Sequence, residues 1–80
     1  MSEQDDRHAG FIELVHGYIP RGLRSAERSF LAHIEEHEDK LRRSIERNDS
    51  RPLNHLEQEL RNFYEQLEII RVEMRRRGMR

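Results

Sequence analysis

The chain has 80 residues, no cysteine, 34% hydrophobic and 39% charged residues, and a formal net charge of −1. The lack of cysteine excludes disulfides and thiolate zinc sites, and near-neutral charge excludes a global field that would gather nucleic acid or acidic membranes. A chain this short forms one domain and buries too little surface to be comfortably stable alone, so helix packing or oligomerisation has to supply the rest.

Two prolines and four glycines in a charge-rich chain are the composition of long helices, and the expected class is all-α. Runs of large apolar residues stop at two, as in Phe11-Ile12 and Ile69-Ile70. That is too short for a membrane span or the core of a leader peptide, so a cytoplasmic protein with no membrane contact is expected.

Residues 1–8 are polar and aperiodic, with Glu3, Asp5 and Asp6 making them acidic, and are expected to form a disordered tail. From 9 to 18, Phe11, Leu14, Val15 and Tyr18 fall at helical spacing and predict a short helix, closed by the turn-forming Pro20-Arg21-Gly22. From about 23 to 47, Ala26, Phe30, Ile34, Leu41 and Ile45 recur at intervals of four and seven, with His37 filling the gap in the stripe. Glu36–Lys40, Glu38–Arg42 and Asp39–Arg43 stand acidic-first at four-residue spacing on the other faces, the order that supports a solvated helix.

Asn48-Asp49-Ser50-Arg51-Pro52 then supplies a helix-ending Asn, N-cap candidates in Asp49 and Ser50, and a proline suited to a first turn. A second long helix is expected from about 52 to 77. Its row Leu53, Leu56, Leu60, Phe63, Leu67, Ile70 and Met74 alternates steps of three and four, the spacing of a coiled-coil seam. Two long helices joined by a short connection predict an antiparallel hairpin within one helical domain over 9–80.

Such a hairpin leaves Leu31, Tyr64, Ile69 and Val72 beside the main stripe, where they form a surface that wants a lid. Two hairpins packed as a four-helix bundle would cover it, so a homodimer or tetramer is expected. The interface is expected at Phe30, Ile34, His37, Leu41, Ile45, Leu53, Leu56, Leu60, Phe63, Tyr64, Leu67, Ile70 and Met74. The rival arrangement folds the N-terminal segment over its own hairpin as a three-helix domain.

His33-Ile34-Glu35-Glu36-His37 matches the H-x-x-E-H pattern of inverted zinc peptidases. Catalysis would still need a third ligand, an open coordination position and a walled cleft, which a helical hairpin does not offer. No metal, cofactor or catalytic residue is therefore expected. A histidine at position 37 of the seam predicts instead that its protonation weakens the bundle. Glu-x-x-His carboxylate-metal spacing is missing at the histidines of the two long helices, because Phe30, Ile34 and Pro52 precede His33, His37 and His55 by three.

The C-terminal Arg71, Arg75, Arg76, Arg77 and Arg80 exceed what a helix dipole needs at its negative end. They are candidate contacts to the phosphates of an RNA or DNA duplex. The function expected first is a non-enzymatic interaction module, such as an adaptor, assembly factor, small chaperone or regulator, working as a homodimer, with another protein as a possible partner. The alternative is a small dimeric nucleic-acid binder.

Overall fold

The computed structural model describes residues 3–79, which form three helices and no strand: α1 Glu3–His16, α2 Pro20–Glu46 and α3 Leu53–Arg76. The class is all-α. Among the described residues no helix is long and apolar enough to cross a membrane.

The helix starts differ from the sequence expectation for local reasons. α1 begins at Glu3 and not near residue 9, so most of the expected tail is helical; residues 1 and 2 lie outside the described part. The stripe continues backwards through His8, one turn ahead of Ile12, and this ring is buried because its Nε2 lies 2.6 Å from Glu65 Oε2 on α3. A polar side chain with a partner can occupy an apolar position, and hydrophobicity alone does not reveal it. α2 begins at Pro20, so Pro20-Arg21-Gly22 is a first helical turn and not a loop. Ile19 is extended (φ −72°, ψ 159°) as the N-cap, and proline at the next position lacks only an N–H that would have no helical partner.

The ends of α2 and α3 repeat one motif. Asn48 takes a left-handed conformation (φ 55°), its N–H donates to the Ile45 carbonyl, and the Asp49 N–H donates to Ser44. Gly78 (φ 74°) ends α3 in the same way, with N–H groups of Gly78 and Met79 donating to Arg75 and Met74, and Met79 closes over the nearby core. Both are Schellman caps. Asn48→Ala is expected to cost about 1 kcal/mol because an alanine pays for left-handed backbone, whereas Asn48→Gly should be neutral or stabilising; urea midpoints for the two variants check this. The expected N-caps of α3 do not form. Pro52 occupies that position without a side-chain cap, and Asp49 instead accepts from the backbone N–H and guanidinium of Arg51.

Side-chain pairs fix the directions of the helices. Glu27 meets Arg71 and Glu38 meets Tyr64, so numbering rises along α2 as it falls along α3. His8 meets Glu65 and His16 meets Glu73, so α1 runs the same way as α3. α1 thus packs on its own chain: Val15, Leu23, Ile70 and Met74 form a buried cluster where the three helices meet, flanked by Phe11, Tyr18 and Ala26. Ile34, Leu60 and Leu67 form a second cluster between α2 and α3. The Phe30 ring joins the two, set edge-on to Phe11 at 5.9 Å and tilted against Phe63 at 6.0 Å.

The result is a slab of 44 × 29 × 15 Å. Its radius of gyration is 14.7 Å, against about 12 Å for a compact chain of this length. Its accessible surface is 6173 Å², about 1,000 Å² more than a folded monomer of this mass is expected to expose.

Candidate interaction surface

Most of the row expected to meet a partner is spent inside the chain. Ile34, Leu56, Leu60, Leu67, Ile70 and Met74 are buried. Phe30, Leu41, Leu53 and Phe63 are half-buried, and His37 is largely covered. Only Ile45 and Tyr64 of that set are exposed. Ile45 loses its place because the stripe drifts around the helix, and buried Ser44 takes the inward position where α2 ends.

The uncovered apolar surface lies at the flanks. Leu31 is 43% and Tyr64 48% exposed, and both line a groove on the α2–α3 face together with Ala32, Glu35, Glu38 and Arg42. The Tyr64 hydroxyl donates to Glu38 Oε1 at 2.9 Å, and this bond to a carboxylate pushes the phenol's pKa up. Ile69, the third of the expected flanking residues, packs beside the three-helix core. Val72 remains exposed on a crease it shares with Ile12 and Ile69 between α1 and α3.

The histidines are engaged with aromatic rings and carboxylates. His33 stacks on Phe63 at 5.6 Å. His37 directs Nδ1 to the His33 carbonyl at 3.0 Å and Nε2 to Glu59 Oε2 at 2.5 Å, while His55 reaches the other oxygen of Glu59. Among the described residues no three His, Asp or Glu side chains are arranged to hold a metal ion. Both ring nitrogens of His37 face acceptors, and the bond from Nε2 to Glu59 ties α2 to α3. The same bond holds the Glu59 carboxyl below its usual range, helped by the nearby charges of His55 and His37.

The C-terminal arginines are partnered within the chain. Arg71 meets Glu27 at 3.1 Å and Arg75 meets Glu68 at 2.9 Å. Arg76 and Arg77 both donate to Glu73 at 2.6 Å. Arg77 does more: its guanidinium also donates to the carbonyls of Tyr18 at 2.6 Å and His16 at 2.9 Å, satisfying oxygens at the C-terminal end of α1. Glu73 is 3% exposed, and its two arginine bonds pull its pKa down to about 2 against the opposing effect of burial. Arg75 and Arg76 remain well exposed; Arg80 lies outside the described residues.

Sequence reasoning missed His8, Glu73 and the role of Arg77. Glu73 and Arg77 stand four apart on one helix, a spacing visible in the sequence, but burial of the carboxylate depends on α1 arriving beside it. No protein-family model matches the chain, and no curated protein or solved structure shows significant similarity to it.

Proposed function

We propose that the chain is a non-enzymatic helical interaction module that acts as a pair of identical copies. The observation that carries this reading is the exposed Leu31–Tyr64 face on a slab whose surface exceeds that of a compact monomer by about 1,000 Å². One partner's share of a standard interface is about 800 Å², so a single docked copy accounts for the excess. A helical hairpin of α2 and α3 with α1 on one side leaves its other side for assembly into a larger bundle. The non-enzymatic part rests on how the acid–base side chains are used: His8, His37 and Glu73 each hold one helix against another.

The duplex-binding alternative draws less support. Arg77 is committed to backbone carbonyls and Glu73, and Arg71, Arg75 and Arg76 each face a carboxylate that a phosphate would have to displace.

Light scattering after size exclusion, repeated over a dilution series, tests the pairing. The expected mass is twice 9.8 kDa, with a melting temperature that rises with protein concentration as mass action requires. A single 9.8 kDa species with concentration-independent melting would overturn the reading.

A further inference from the structure

The geometry points to a specific mode of pairing, resting on the self-association just proposed: a second copy seats on the α2 face centred on Leu31, with the two α2 helices antiparallel. Arg24, Arg28, Leu31, Glu35 and Glu38 follow one another at steps of four, three, four and three, which places them in one stripe along α2. All five are exposed. The stripe reads positive, positive, apolar, negative, negative.

That order is self-complementary under a two-fold operation. An isologous interface brings residue i beside residue j and j beside i. With the axis at Leu31, each leucine meets its copy, Arg28 faces Glu35 of the second copy, and Arg24 faces Glu38 of the second copy. Among the described residues Arg24, Arg28 and Glu35 form no ion pair within their own chain, while Glu38 accepts the Tyr64 hydroxyl, which would flank the leucine pair. Ala32, also exposed, lets the helices approach closely.

The pattern also selects the occupant. Parallel copies would set arginine against arginine and glutamate against glutamate, a penalty of the kind that fixes orientation in helical pairs. A foreign helix of a single sign would be attracted by one half of the stripe and repelled by the other. A second copy laid antiparallel matches both halves.

Two charge-reversed full-length chains test this by sedimentation equilibrium: Arg24→Glu with Arg28→Glu, and Glu35→Arg with Glu38→Arg. The exposed positions leave the core intact, and circular dichroism checks that each variant is helical. Each alone should dimerise at least about a hundredfold more weakly than the wild type, since it opposes like charges four times over. An equimolar mixture should recover a heterodimer close to wild-type affinity, because the first chain presents an all-acidic stripe and the second an all-basic one. If both variants dimerise as well as the wild type, pairing uses another face and this inference fails while self-association stands. If each is weakened but the mixture is not restored, the antiparallel match at Leu31 is overturned. A wild type that stays monomeric throughout removes both the inference and the self-association beneath it.

Discussion

Ile70→Ala should lower folding stability by about 3 kcal/mol, whereas Ile45→Ala, from the matching stripe on α2, should change it by no more than about 0.5 kcal/mol. Ile70 is fully buried beside Val15, Leu23 and Met74, so truncation removes contacts from all three helices at once. The cavity it leaves is lined by side chains from all three helices, which keeps the cost above the low end of the range for such truncations. Ile45 is 59% exposed and gives up little on truncation. Urea midpoints at one fixed protein concentration provide the comparison, since an associating chain gains apparent stability with concentration. Equal losses at the two sites would mean that the junction of α1, α2 and α3 does not form as described.

Those two isoleucines show how far periodicity carries. The step pattern of α3 placed Leu56, Leu60, Leu67, Ile70 and Met74 on one face, and all five are buried. What the pattern left open was which body supplies the opposite wall. A stripe facing its own α1 and a stripe facing a second molecule have the same spacing, because both need only an apolar surface of the right width. The decision rests on α1, whose docking depends on polar contacts that hydropathy scores as unfavourable: His8 on Glu65, and Arg77 on the carbonyls of Tyr18 and His16.

Charge was legible in a similar partial way. The pairs Glu36–Lys40 and Asp39–Arg43 follow from helical spacing and form as surface bridges; each is worth little. Glu38 departs from its expected role, taking the Tyr64 hydroxyl while Arg42 turns to Asp39. Arg71–Glu27 and His37–Glu59 join different helices and required the fold to be known. The C-terminal arginines resembled a polyanion site because Glu73 is the only acid among the last ten residues. A count of charges gives that one carboxylate a weight of one, but from a buried position it organises Arg76, Arg77 and, through Arg77, the end of α1.

That arrangement makes the protein sensitive to acid. Glu73 binds a proton near 4.5 when unfolded and only near 2 when folded, so the unfolded chain takes up the proton first. Its stabilising contribution is therefore complete above about pH 5 and is lost as pH falls from there through about 2. The groups facing it are Arg76 and Arg77 on its own helix and His16 from α1, 3.5 Å away. Once Glu73 is protonated, Arg76 and Arg77 lose the anion they share, and Arg77 loses the group that aims it at Tyr18. Glu59, also held below its usual range, titrates with the same sign. Glu73→Gln should then reduce the slope of stability against pH between 5 and 3, and Glu59→Gln should reduce it in the same direction. Arg77→Ala should cost about 3 kcal/mol near neutrality, from the loss of charge-assisted bonds to two carbonyls and a carboxylate. Urea denaturation at a series of pH values separates the two effects. A Glu73→Gln profile parallel to the wild type would show that the carboxylate is not what joins α1 to α3.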